Sequence, residues 1–135
     1  MTLQAVIAET QRTVPECLAV GIVDMTTGML LDVKTVDSHP QEVLDLVAAA
    51  TSDIYQGQNV TAIENAFKRS RGLVEDDGHH YFQDIIIMSE NLLHVFLRSK
   101  RNQGVVMVIV CRKSVNLGMA LSKARLMATK VDQHI

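Results

Sequence analysis

A layered α/β fold is predicted for this sequence by three observations. Two runs, Leu18 to Val23 and Val105 to Val110, are apolar on both faces, as strands covered on each side are. Three other segments repeat apolar residues at helical spacing. The links between the last three strand-like segments are too short for a crossover, so they favour antiparallel hairpins. The predicted order is helix, two strands, long helix, three strands, helix, in a single domain spanning residues 1–135. A chain of this length can bury about two-thirds of its unfolded surface.

The first helix covers residues 3–14, with Leu3, Val6, Ile7 and Val14 on one face, and stops before Pro15. CLAVGIVDM follows as a covered strand, Thr26-Thr27-Gly28 turns the chain, and MLLDV returns as its partner. Gly28 is the residue that takes φ > 0 cheaply in that turn. Ser38 is the expected N-cap of the next helix, Pro40 sits where its missing N–H is harmless, and Glu42 favours the first turn electrostatically. Val43, Leu44, Leu46, Val47, Ala50 and Ile54 then recur at helical spacing, and the pattern resumes after Gly57 with Ile63, Ala66 and Phe67. One helix kinked at Gly57 and two helices in sequence both satisfy this pattern.

RSRGLVEDDGHH, residues 69–80, reads as a polar connection. Strands are expected over Tyr81 to Met88, Asn91 to Ser99 and Val105 to Arg112. Asn116 caps a last helix whose face carries Leu117, Leu121, Ala124, Ala128, Val131 and Ile135. Gly118 in its first turn costs stability relative to alanine, which a close approach to a neighbouring backbone or simple drift would explain. The two doubly apolar runs are candidates for neighbours in the sheet.

Composition narrows the function. Hydrophobic residues make up 47% and aromatics only 4%, so the core is aliphatic and a surface of stacked rings is not expected. The net charge of −2 divides unevenly, with −7 in residues 1–67 and +5 in residues 68–135. That asymmetry orients a partner or a second copy unless the halves interleave. Cys17 and Cys111 lie in apolar runs without a CxxC or histidines at ligand spacing, which reads as two buried free thiols in a reducing, cytoplasmic setting. The N-terminus has no basic start followed by an apolar stretch, and no run approaches the ~20 residues of a membrane helix. Without secretion, the sequon at Asn59-Val60-Thr61 has no chemical consequence.

Candidate chemistry is sparse. Asp24 and Asp32 flank the first turn, but two acids without a metal, a histidine or a pocket signal read as its solvated rim. His79 and His80 with Asp76 and Asp77 match no zinc-finger or HExxH spacing, and His39, His94 and His134 stand alone. No phosphate loop is present, and Ser114 and Ser122 have no partnered base nearby. Arg98, Lys100 and Arg101 fall at one hairpin tip, with Arg112 and Lys113 near the strand's far end. A basic edge without interleaved aromatics, on a slightly acidic chain, argues against nucleic acid and fits a solvated rim or an acidic protein surface. No catalytic residue, metal or cofactor is expected.

NLGMALSKARL, Asn116 to Leu126, directly after VVMVIVCR, resembles the opening of the last helix in the roadblock/dynein light chain family. VPECLAVGIVDMTTGMLLDV, Val14 to Val33, is similar to that family's entry into its first hairpin. The chain departs from compact members at Glu16-Cys17-Leu18, around Gln56-Gly57-Gln58, and in the longer loop from Arg69 to His80. The resemblance implies an α/β/α sandwich around a five-stranded antiparallel sheet of order 2-1-5-4-3, a profilin-like arrangement. The middle helix would lie on one face and the terminal helices on the other.

It also implies a homodimer that joins the middle helix, Gln41 to about Phe67, and the third strand, Tyr81 to Met88, to their counterparts. Val43, Leu46, Val47, Ala50, Ile54, Phe82, Ile85 and Ile87 would then form the dimer interface. An uncovered apolar edge at Tyr81 to Met88 independently calls for such pairing. Asp24, Thr26, Arg98, Lys100 and Arg101 are the candidate surface for a further partner. Family members are non-catalytic partners of Ras-like small GTPases or adaptors in motor and signalling assemblies, so a GTPase-binding regulator is the expectation. A structural adaptor and a small sensor binding a metabolite in a polar-lined cavity are the alternatives.

Overall fold

The computed structural model describes residues 2–37, 40–75 and 78–135. Helix α1 (Leu3–Thr13) leads into β1 (Cys17–Asp24) and β2 (Met29–Thr35), followed by α2 (Gln41–Gln56) and α3 (Gln58–Ser70). Then come β3 (Asp84–Met88), β4 (Leu92–Arg98), β5 (Val105–Arg112) and α4 (Leu117–Asp132). All pairings are antiparallel and the sheet has the order β2-β1-β5-β4-β3. The doubly apolar runs are indeed neighbours, β1 against β5 at the sheet's centre.

Both faces of that sheet are covered, which is why its central strands lack polar alternation. One core joins Val6, Ile7 and Val14 to Val20, Ile22, Val95, Ile109, Ala124 and Met127, placing α1 and α4 on one face. The other joins Val23, Phe96, Val106 and Val108 to Ala48 and Tyr55, placing α2 opposite. The result is the α/β/α sandwich expected.

Local chemistry accounts for the boundaries. Thr2 caps α1 by accepting from the Ala5 N–H at 3.1 Å, and Asn116 caps α4 by accepting from Met119 N at 3.0 Å. Gly28 has φ +71°, as the first turn requires. Pro40 occupies the N-cap position of α2. Ser38, the expected cap, lies outside the described residues, as do His39, Asp76 and Asp77. The middle segment is two helices, not one, because Gly57 adopts φ −59°, ψ 158° and ends the helical run. A Cβ on Gly57 would sit 2.7 Å from the Asp53 carbonyl oxygen, so no larger residue fits that break without movement of the backbone. At Gly118, by contrast, an added Cβ would meet only Asn116 Oδ1 at 3.4 Å, and no neighbouring backbone explains the glycine.

Strand β3 starts later than expected. The strand predicted from Tyr81 begins at Asp84 because the N–H groups of Tyr81 and Phe82 are taken by the Glu64 carboxylate, at 2.6 and 3.0 Å. Lys68, one turn further along α3, donates to the His79 carbonyl. The i, i+4 spacing puts both buried side chains on one face of α3, where they clamp the approach to β3.

Candidate functional site

Helix α2 carries two adjacent apolar stripes. Ala48, Thr51 and Tyr55 are buried against the sheet, while Val43, Leu46, Val47 and Ala50 are exposed and Ile54 is half-buried. A helix that covered its own sheet alone would need only the first stripe. Leu46 is 64% exposed, more than any other large apolar residue of the helix. Beneath the second stripe runs a groove of about 540 Å³. Its floor is formed by Gly21, Val108, Phe96 and Ile87 from successive strands. The space on the α2 side is therefore not filled by this chain's own core. Its lining is almost wholly apolar, which contradicts the polar cavity expected of a metabolite sensor.

The groove ends at β3, the outer strand with only β4 as partner. Ile85 lies opposite Phe96 and Ile87 opposite His94, so these two residues continue the groove's face, whereas Ile86 pairs with Val95 on the α4 side. Ile86, Ile87 and Met88 are exposed. Phe82 precedes the strand and stacks edge-on to Phe67 and Tyr81, with ring centroids 6.4 and 5.8 Å away. Three of the five aromatic rings thus gather where α3 meets β3.

His94 is the ionisable ring on the groove floor, and its Nε2 lies 3.1 Å from Ser89 Oγ. Burial lowers its pKa from the ordinary 6.5, since desolvation disfavours the charged imidazole. The unfolded chain then binds a proton near pH 6.5 that the folded chain refuses until lower pH. The neutral ring's contribution is complete above pH 6.5 and is lost as the pH falls below it. Urea unfolding at pH 7 and pH 5 is expected to show a smaller stability loss for His94→Leu than for the wild type. The difference is limited to about 1.4 kcal/mol per pH unit, and parallel losses would remove His94 as the cause.

The opposite end of the molecule gathers most of the second candidate set. Met25 N–H donates to the Gly104 carbonyl at 2.7 Å, bringing the β1–β2 turn against the β4–β5 tip. Thr26, Lys100 and Arg101 are exposed on this rim and Asp24 is half-exposed. Asp24 Oδ1 accepts from Thr26 N and Oγ1 at 2.9 and 2.6 Å, and the Thr26 hydroxyl chiefly holds its pKa below the usual carboxylate value. Asp32 Oδ1 accepts from Val33 N at 2.8 Å. Asp24 thereby holds its own turn, whereas Asp32 lies within β2 and accepts from the next residue of its strand. The tip is fastened to α4 by Asp132, which accepts from Ser99 Oγ at 2.6 Å and Lys100 N at 3.3 Å.

Arg98 does not belong to this surface. It is 4% exposed, its Nε donates to the Phe82 carbonyl at 3.0 Å and its Nη1 to the Gln103 carbonyl at 2.5 Å. The guanidinium lies 4.6 Å from the Tyr55 ring centroid. Tyr55 in turn donates to the Gln83 and Phe96 carbonyls at 2.8 and 3.0 Å. A residue expected at a solvated tip is an internal fastener because the Glu64 clamp leaves the Phe82 carbonyl facing it.

His80 Nδ1 lies 3.5 Å from Glu64 Oε1, while the acids proposed beside it are outside the described residues. Among the described residues no group of three or more histidines, cysteines or acids is arranged to hold a metal ion. Among them, too, no helix is long and apolar enough to cross a membrane.

No family model matches the sequence, and no curated protein matches it. Solved structures do resemble the fold. MglB with a tetrameric arrangement superimposes with a TM-score of 0.71 at 17% identity, covering 97% of this chain and 85% of that one. The roadblock/LC7 domain from Streptomyces avermitilis gives 0.69 at 13% identity, covering 98% and 97%. MglC from Myxococcus xanthus gives 0.60 at 18% identity over the whole of both chains. With sheet order, helix placement and full-length superposition in agreement, the chain has the roadblock/LC7-type fold.

Proposed function

We propose that this chain is a non-catalytic roadblock-family protein that forms a homodimer and regulates a Ras-like small GTPase by surface complementarity. The observation that carries the reading is the unfilled apolar face made by α2 and β3 on a roadblock-type fold. Val43, Leu46, Val47, Ala50 and Ile54 of α2 meet their counterparts in the second copy, and Phe82, Ile85 and Ile87 meet theirs, at the dimer interface. Pairing removes both the exposed stripe and the unpaired edge of β3, the two features that a lone subunit leaves in water.

The tetrameric arrangement of the similar MglB supports self-association. The partner rim is Asp24, Thr26, Lys100 and Arg101, where the hairpin ends are held rigidly by Met25–Gly104 and Asp132 contacts. Recognition there biases the switch loops of a protein that binds the nucleotide itself. The setting is the cytoplasm, where both thiols stay reduced at rest.

The test is gel filtration with light scattering, first on the chain alone and then with a Ras-like GTPase loaded with GDP or a non-hydrolysable GTP analogue. A dimer whose co-elution depends on the nucleotide is the expected result. Co-elution indifferent to the nucleotide would establish a structural adaptor instead, and a stable monomer at high concentration would remove the dimer.

A further inference from the structure

Cys17 and Cys111 are far apart in sequence but directly opposite one another in the β1–β5 ladder. Both side chains enter the same core, on the α1 and α4 face, and neither is in a disulfide. Residues facing each other across an antiparallel pair have Cα atoms about 4.5–5.5 Å apart, inside the range that a disulfide spans. Facing residues of a regular antiparallel pair have Cβ atoms about 4.5–5.5 Å apart, somewhat wider than a disulfide prefers, so closure of such a pair needs an adjustment of the order of 1 Å.

The backbone at this end is irregular in the place where that adjustment falls. The register shifts between Cys17 and Ala19, and Glu16 immediately before takes φ 51°, in the left-handed region that a residue with a Cβ seldom adopts. The two thiols also interact with each other. Interaction with the Cys111 thiol, followed by burial, pushes the Cys17 thiol up, while Cys17 Sγ donates to the Ala19 carbonyl at 3.5 Å.

We propose that Cys17 and Cys111 are a paired oxidation site that a hydroperoxide closes into a cross-strand disulfide between the two central strands. One of the two sulfurs, as its thiolate, attacks the peroxide oxygen, breaking the O–O bond, releasing an alcohol or water and leaving a sulfenic acid. The second sulfur then attacks the oxidised one, and the sulfenic oxygen departs as water. Two protons and two electrons leave the thiols, one S–S bond forms, and the peroxide is reduced. Both cysteines are buried, at 7% and 0% residue exposure, so the reaction proceeds when the end of the β1–β5 ladder opens. The bond would tie the first strand to the fifth and enclose most of the chain, constraining the unfolded state. This site rests on strand register and is independent of any GTPase.

The experiment treats the reduced full-length protein with hydrogen peroxide at neutral pH, blocks residual thiols after unfolding, and maps peptides without reductant. Titratable thiols are expected to fall from two to none, with the Cys17 and Cys111 peptides linked within one chain. Dithiothreitol should restore both, and the oxidised protein should unfold at a higher temperature than the reduced one. Two thiols still titratable, bonds formed between chains, or separate oxidation of each sulfur to sulfinic acid would each overturn the proposal. Cys17→Ala or Cys111→Ala should abolish the rise in unfolding temperature. If either variant fails to fold, the wild-type peptide map decides alone.

Discussion

Leu46→Asp is expected to leave the subunit folded and to abolish its self-association. Leu46 is 64% exposed at the middle of α2, so within one subunit the change exchanges one solvated side chain for another, at a cost within about 0.5 kcal/mol. Across the proposed α2 interface the same carboxylate would be stripped of water without a cation to meet it. An unpaired charge in a desolvated contact costs several kcal/mol, which corresponds to a loss in affinity of about 100-fold or more. Sedimentation velocity over a dilution series measures this directly. Leu126→Asp, on α4 at 53% exposure and outside the proposed interface, is the matched control and should associate like the wild type. Equal dimerisation by Leu46→Asp would place the interface elsewhere.

Arg98→Ala is expected to destabilise the subunit by about 2–4 kcal/mol, whereas Lys100→Ala and Arg101→Ala should stay within about 0.5 kcal/mol. The difference follows from burial, not charge. Truncating Arg98 leaves the Phe82 and Gln103 carbonyls without their donors in a place water reaches poorly, at about 1–3 kcal/mol for each unsatisfied group. It also empties the space over the Tyr55 ring and removes a cation–π contact of about 1–2 kcal/mol. Against these losses stands the relief of burying a guanidinium, whose charged form burial disfavours, so the sum falls short of the separate terms. Urea denaturation of the three variants separates the cases. A stability for Arg98→Ala indistinguishable from that of Arg101→Ala would return Arg98 to the surface role its neighbours have.

The candidate site was partly legible before any coordinates. The α2 stripe could be read because helical spacing declares which side chains share a face, and Val43, Leu46, Val47, Ala50 and Ile54 do share one. Ile85 and Ile87 were expected at the interface only from the family resemblance, which placed the third strand there. The groove beneath them was not legible, because an unbroken apolar run such as Val105 to Val110 says that both faces of a strand are covered, not how closely. Nor was the clamp formed by Glu64 and Lys68. Their i, i+4 spacing is an ordinary helix-surface pair until the backbone of residues 79–82 passes beside it. Phe82 was expected inside the edge strand, but it precedes that strand, since Glu64 takes the amide that a ladder would have used.

By itself the sequence determined the order of elements, the turn at Gly28, the cap at Asn116 and the covered character of β1 and β5. These depend on backbone sterics, side-chain period and hydrogen bonds between near neighbours, all of which are local. Only the tertiary structure decided that Arg98 is internal, that the helix breaks into α2 and α3 at Gly57, and that Cys17 faces Cys111. For a buried charge or a thiol, the nearest partner is supplied by a distant stretch of chain. That partner is set by strand register and layer packing, quantities that no run of consecutive residues contains.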